Sequence, residues 1–240
     1  MTSAVSAKGT SLIWNYHKIA EAVNITGLSE SVTSISVSNH DSPDAYMESI
    51  PGMVDGGELS IEANFIAGDT NGQIAFHTDM QARTGKAVLL VMPMAVGQTL
   101  SFNAHASNFG LEFPIDGAIK KSGALKVSGK PTLLTIQSTG ISALEGIEET
   151  DTTALSINEA IAAGTYEYTC TVDTASNWVK LTVTAVSHSL WIAGESETSG
   201  VQTDEIALGA AGTDTDILII AQEAGESPRL YKLTVTRPVA

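Results

Sequence analysis

The 240-residue chain is poor in cysteine, in aromatic residues and in positive charge. Its single cysteine, Cys170, excludes an intrachain disulfide. That cysteine falls in the alternating run Tyr166, Tyr168, Cys170, Val172, which reads as a buried structural thiol. Aromatics make up 5% of the residues while Thr, Ser, Val, Ile and Gly are abundant, a mixture that favours strands over helices. The formal net charge of −15 excludes a conventional phosphate-backbone binder, which would carry a basic patch. No run approaches the ~20 apolar residues of a transmembrane helix, and no basic stretch followed by an apolar one marks a signal peptide at the N-terminus. Motifs for a nucleophile elbow, a Walker loop, a dinucleotide fold or a zinc protease are all missing. The five histidines, His17, His40, His77, His105 and His188, are scattered singly, and His105 sits on the polar phase of its strand as a solvated residue.

What is present is organised around residues 58–65. Leu59, Ile61, Ala63 and Phe65 alternate with Glu58, Ser60, Glu62 and Asn64, the period of a strand with one buried face. Before it lies a segment without a period, 39–57, punctuated by Pro43, Pro51, Gly52, Gly56 and Gly57. Such punctuation predicts a loop, neither helix nor ladder, and a loop this long tends to be functional. Its apolar members, Met47, Ile50, Met53 and Val54, need a surface to bury against.

Upstream, residues 9–14 suggest a short strand or an arm, 16–25 fits strand or helix, 27–30 is a turn, and Thr33, Ile35 and Val37 alternate with serines as a strand. The strongest helix signal covers 71–84. Thr70 fits an N-cap with Gln73 reaching back, Phe76 and Met80 share a face, and Gly85 stands where a left-handed C′ residue belongs. Strands follow at 88–92, a run suited to burial on both faces, and at 100–107. Another is expected at 119–127, where Lys120, Lys121 and Lys126, with Lys130 beyond, suggest a solvated face or a guarded edge.

Ser128-Gly129-Lys130-Pro131 reads as a junction, and the sequence divides into domains 1–130 and 131–240. Charge divides unevenly there: residues 1–130 hold 8 basic against 12 acidic residues, net −4, and 131–240 hold 4 against 15, net −11. The second part is strand after strand, at 166–172, 179–185, 190–192, 217–220 and 231–235, a spacing that predicts a β-sandwich. Two acidic turns have some of the residues of a calcium site. Asp69-Thr70-Asn71-Gly72 lacks the remaining ligand spacing and reads as helix capping; Thr213-Asp214-Thr215-Asp216 reads as a solvated turn. Asn24-Ile25-Thr26 is a glycosylation triplet by pattern alone.

Several ordered segments of the first part carry a resemblance. They are Gly9-Thr10; Asp41-Ser42; the series Glu48, Ile50-Pro51-Gly52, Asp55 and Gly57-Glu58; Gly72-Gln73; Ser101-Phe102; Pro114, Asp116-Gly117; and Val127 to Pro131. In order and spacing, residues 1–131 resemble the major tail tube protein of long-tailed bacteriophages. The second part resembles the cadherin-like, immunoglobulin-like sandwich domains appended to phage and bacterial surface proteins, through Tyr166, Tyr168-Thr169, Thr171-Val172, the run 183–185 and the closing 231–237.

The resemblance implies a mainly β chain: a tube domain of two packed sheets, barrel-forming in assembly and flanked by one helix, followed by an Ig-like sandwich. It implies hexameric rings stacked into a tube that conducts the genome, with no enzyme activity, no cofactor and no metal. Expected partners are further copies of the chain, the tape measure, tail terminator and tip proteins, double-stranded DNA passing through without specific binding, and cell-surface glycans at the second domain. The expected location is the virion tail, assembled in the host cytoplasm. Expected inter-subunit contacts are Met47, Ile50, Pro51, Gly52, Met53 and Val54 in the loop, and Leu12, Ile13 and Trp14 in an N-terminal arm. Residues 131–240 are expected to project outward and to be dispensable for the tube. The competing readings are a secreted or surface Ig-like adhesin or carbohydrate-binding protein, and the tube component of a contractile secretion machine.

Overall fold

The computed structural model of the chain describes residues 5–40, 42, 46–150 and 154–239. In chain order the elements of the first part are β1 (Ser11–Trp14), β2 (His17–Lys18), β3 (Ala22–Gly27), β4 (Ser31–Ser36), β5 (Ser49–Asp55) and β6 (Glu58–Asn64). A turn of π-helix (Thr70–Ile74) then leads into α1 (Ala75–Ala82), followed by β7 (Gly85–Val91), β8 (Thr99–Glu112) and β9 (Lys120–Leu134). The rest are β10 (Ala143–Glu148), β11 (Glu167–Thr171), β12 (Trp178–Thr184), β13 (His188–Ile192), β14 (Glu195–Glu197), β15 (Ile206–Ala207), β16 (Asp214–Glu223) and β17 (Arg229–Thr236). A seven-stranded sheet has the order β2-β1-β7-β8-β9-β6-β3, and β4 pairs with β5 in a separate two-stranded ribbon.

Two compact units result, one of residues 19–89 and 101–132, the other of 1–18, 90–100 and 133–240. In the first, β6 follows its sequence pattern: Leu59, Ile61 and Ala63 are buried and the residues between them are not. Phe76 of α1, Phe102 and Ala104 of β8 and Leu125 of β9 are buried as well, Leu125 directly opposite Leu59 across the ladder.

The helix begins one residue earlier than the sequence suggests, and its cap differs. Asp69, not Thr70, is the N-cap: its carboxylate accepts from the amides of Gly72 (3.0 Å) and Gln73 (2.9 Å) and from the amide of Ala20 (3.1 Å). A charged acceptor with two oxygens serves three amides where a hydroxyl would serve one. Gln73 reaches back past the cap, its Oε1 accepting from the Ile66 amide (3.2 Å). It is fully buried, its amide nitrogen donating to the carbonyls of Ala20 (2.9 Å) and Asn64 (2.8 Å). Arg83, at φ 56°, supplies the left-handed C-cap expected of Gly85, which instead opens β7.

Of the β9 lysines, Lys120 and Lys130 are exposed as expected, and Lys121 is not. β9 lies between β8 and β6, not at an edge. Lys121 is buried, its ammonium 4.2 Å from the Phe76 ring centroid and without a hydrogen-bond partner among the described residues. Burial drives its pKa from the ordinary lysine value down to about 8, opposed by the charge of Asp69. β9 runs through 128–131 to Leu134, and the change of unit falls at 132/133.

The second unit holds the sandwich. A three-stranded sheet, β10-β12-β15, faces a five-stranded one, β11-β17-β16-β13-β14. Its core includes Tyr168, Cys170, Leu181, Val183, Ile219 and Leu233. Burial pushes the Cys170 thiol up to about 11, as a structural cysteine requires. This unit also contains the β1–β2 hairpin, whose turn residues Asn15 (φ 48°) and Tyr16 (φ 65°) take the doubly left-handed form suited to a two-residue connection. The Tyr16 ring stacks on Trp191 of β13 at 4.0 Å and 8°. Ile220, the ladder partner of Trp191, is fully buried although it alternates with the core residues Ile219 and Ala221. Both broad faces of the five-stranded sheet are therefore covered near β13 and β16.

Candidate assembly interface

The 39–57 segment is not the irregular loop that its prolines and glycines predict. Residues 49–55 form β5, antiparallel to β4, with Ser31 opposite Asp55, Val32 opposite Val54, Ser34 opposite Pro51 and Ile35 opposite Ile50. Backbone pairing continues past the strands, the Val37 amide donating to the Glu48 carbonyl at 3.0 Å. Pro51 is tolerated because a two-stranded ribbon asks each strand to pair on one side only, and because the register shifts next to it, between Val32 and Ser34. Asp41 and Pro43 of the expected loop, together with Asp44 and Ala45, lie outside the described residues.

Tight geometry fixes the ribbon where it leaves the sheet. The Leu28 amide donates to the Glu58 carbonyl at 2.7 Å. Gly57 turns the chain at φ 84°, and a Cβ there would lie 2.5 Å from the Ser29 carbonyl oxygen, so only glycine fits. Lys126 of β9 holds both carboxylate oxygens of Asp55, at 2.7 and 2.8 Å, and the Gly57 amide donates to the same group at 2.9 Å. The Lys126 hydrogen bond, helped by Gly57, holds the Asp55 carboxyl below its usual range. The acidic group at the ribbon's root is thus already neutralised.

Beyond that root the ribbon is exposed. Every residue of β4 is exposed, and so are Met47, Ile50, Pro51, Met53 and Val54, while Gly52 is half-buried against Thr33 and Ile35. The expected arm residues behave differently. Leu12, Ile13 and Trp14 are fully buried within the chain, in β1. A second apolar feature was missed: the connection from β8 to β9 exposes Phe113 and Ile115, the latter almost completely. Its signal was in the sequence, as two large apolar residues around Pro114 in a turn.

Among the described residues no group of three or more His, Cys, Asp or Glu is placed to hold a metal ion. Asp214 and Asp216 accept hydrogen bonds from Thr236 and Thr234 across the ladder, each at 2.7 Å.

Comparison with known proteins gives two kinds of match. Residues 152–238 match the model of the cadherin-like beta sandwich domain. The second unit's sandwich is of that kind. Among solved structures, the chain is similar to a protein in the virion of a native gene transfer agent particle, at 13% identity and TM-score 0.45, covering 54% of this chain and 98% of that one. A chain of the sheath-tube complex of an extracellular contractile injection system gives 12% identity and TM-score 0.46, covering 57% and 95%. A third is the SPP1 tail tube, at 12% and 0.43, covering 57% and 82%. No curated protein sequence matches the chain.

Proposed function

We propose that the chain is the subunit of a bacteriophage tail tube. In this reading six copies form a ring, one sheet of each joins a continuous inner barrel, and stacked rings make the conduit through which the genome leaves. The observation that carries it is the β4–β5 ribbon. It leaves a well-packed sheet with its apolar side chains in water, and a surface of that kind marks a contact with another protein. The ordered segments of residues 1–131 that resemble tail tube proteins support the same reading.

The protein is then structural, not catalytic, and needs no cofactor. Its partners are its own copies, the tape measure, and the terminator and tip proteins of the tail. Double-stranded DNA passes through without specific binding, in keeping with a chain of net charge −15. Residues 131–240 form the appended domain and project from the outer surface, where their net charge of −11 is screened by water and salt. Cell-surface sugars are the ligand class to test on it. Electron microscopy of the purified full chain is the direct test. Hollow tubes or six-membered rings are expected. Dispersed monomers at high concentration overturn the reading, and monomers that bind glycans favour an adhesin.

A further inference from the structure

We propose that His188 is a proton-operated latch: the neutral ring holds the connector from β9 to β10, and protonation releases it. The inference is independent of the tube reading. Residues 135–142 join Leu134, the end of β9, to Ala143, the start of β10, and lie within the second unit. Backbone bonds hold the connector on either side of its middle. The Ser227 amide donates to the Ile136 carbonyl at 2.7 Å, the Ser138 amide to the Ser227 carbonyl at 3.0 Å, and the Ser142 amide to the Thr184 carbonyl at 2.7 Å. Thr139 and Gly140, between them, are bound by side chains. The Gly140 amide donates to His188 Nε2 at 3.1 Å, and the Thr139 hydroxyl donates to Glu223 Oε1 at 2.6 Å. Gly140 sits at φ 94° against the Tyr231 hydroxyl, where a Cβ would collide, so the middle of the connector is closely seated.

These bonds fix the charge of the ring. Nδ1 meets the Val186 carbonyl, which can only accept, so Nδ1 carries a hydrogen. Nε2 meets the Gly140 amide, which can only donate, so Nε2 carries none. The ring is therefore neutral in this arrangement, and its side chain is only 1% exposed. A second proton has one place to go, Nε2, where it would face the Gly140 N–H donor to donor. Turning the ring does not relieve the clash, because both nitrogens of an imidazolium are donors. An acceptor stands close by: Glu223 Oε1 lies 3.4 Å from Nε2. That oxygen already accepts from the Thr139 hydroxyl, itself 3.4 Å from Nε2. Protonation thus gives the ring a charge-assisted bond to Glu223 and displaces both donors of the connector.

The charged and titratable groups around the ring favour that exchange. Glu226, in the turn from β16 to β17, shares a hydrogen bond with Glu223, and the pair splits. The Thr139 hydroxyl, with the Glu226 bond next, holds Glu223 below the ordinary carboxylate range, while the bond to Glu223 raises Glu226. Glu226 therefore takes up a proton first. Glu223 is still a carboxylate at the pH of about 6.5 where a histidine ordinarily charges. On β17, Arg229 donates to the Ser138 carbonyl at 2.5 Å and to the Tyr166 hydroxyl at 3.1 Å. The Tyr231 hydroxyl accepts from the Ile141 amide at 3.2 Å. Neither set of bonds involves the His188 ring, so release is confined to Thr139 and Gly140. Acid would loosen the entrance to the sandwich while its core stays folded.

Amide hydrogen exchange followed by NMR on the unassembled full chain tests the latch, from about pH 8 to about pH 5. The Gly140 amide is compared with that of Ile219, in the middle of β16. After correction for the intrinsic pH dependence, Gly140 should lose about tenfold or more of its protection on acidification while Ile219 keeps its own. His188→Gln offers Gly140 an oxygen and cannot titrate, so its protection should stay flat. Glu223→Gln removes the charged acceptor, so the loss should move to lower pH. The ring nitrogens of wild-type His188 give a readout that needs no variant to fold: their titration midpoint should coincide with that of the Gly140 loss. Constant protection of Gly140 in the wild type overturns the latch. So does a loss that persists in His188→Gln, an unshifted midpoint in Glu223→Gln, or a ring that titrates at a different pH from the loss. Any of these would leave His188 as a packing residue with no hold over the connector.

Discussion

β4 and β6 are strands of similar length and of similar alternation, yet they end in opposite environments. β6 lies between β9 and β3, with α1 over one face, and buries Leu59, Ile61 and Ala63. β4 has β5 beside it and exposes every residue. Alternation of apolar and polar residues sets the strand and the phase of its side chains. It does not say what covers the apolar phase. In β6 the cover is another part of the same chain; in β4, by our reading, it is another copy.

The largest effect that separates the two strands is a truncation in each. Ile61→Ala opens a cavity in a closed interior and should cost about 2–5 kcal/mol. Ile50→Ala should change the stability of the dissociated chain by no more than about 0.5 kcal/mol. Denaturant titration of unassembled protein measures both. A loss of more than about 2 kcal/mol at Ile50 would mean that the ribbon is packed within the monomer, and the comparison would collapse.

The covered side has its own flaw in Lys121. Its folded pKa of about 8 lies below the unfolded value of 10.5. Between those values the unfolded chain binds more protons, so stability should rise as pH is raised from 8 to 10.5 and be lost again as pH falls from 10.5 to 8. The shift corresponds to about 3 kcal/mol. Lys121→Met should therefore stabilise the chain at pH 7 by up to that amount and flatten the rise. A variant no more stable than the wild type would show that the cation–π contact with Phe76 compensates the burial.

These contrasts follow what could be read from the sequence. Cys170, the 58–65 strand and the sandwich strands were legible because local period and burial agree there. The helix was legible to within a residue at its start, but Asp69 and Thr70 are both good caps, and the choice goes with a distant amide, that of Ala20, which donates to Asp69. Lys121 was not legible, since a lysine in a strand reads as solvated until α1 lays Phe76 across it. The ribbon was read as a loop because Pro51, Gly52, Gly56 and Gly57 look like punctuation. In a two-stranded ribbon they cost little, and the glycines allow the tight root. At 128–131 β9 runs on without a turn, and the change of unit falls at 132/133, while Tyr16 and Trp191 are too distant in sequence for any local signal.

That stack sharpens the comparison for the C-terminal part. Tyr16→Ala in the full chain should cost about 2 kcal/mol, from the lost stack and the uncovered Trp191. Trp191 emission should shift to the red. Truncation after Lys130 removes Trp191 and also ends β9 four residues early. Failure of the truncated chain to assemble would then report lost packing at the β1–β2 hairpin as readily as a lost interface. If Tyr16→Ala leaves melting and emission unchanged, the hairpin is not held by the sandwich, and truncation becomes a clean test of whether residues 131–240 are dispensable.

The mildest intervention compares cover directly, with thiols as reporters. Cys170 is buried and its thiol is pushed up to about 11, so at pH 8 it should resist alkylation in folded protein, assembled or not. Ile50→Cys places a second thiol on the ribbon. In dissociated protein it should react at the rate of a free cysteine, because Ile50 is half exposed. In assembled protein the same thiol should slow by at least tenfold, if a neighbouring copy covers that face, while Cys170 stays silent throughout. Cysteine is close to a small apolar residue in packing, so the contact itself should survive the change. Equal labelling of Ile50→Cys before and after assembly would mean that the ribbon stays bare in the tube, and that some other surface, with the β8–β9 connection first in line, joins the copies.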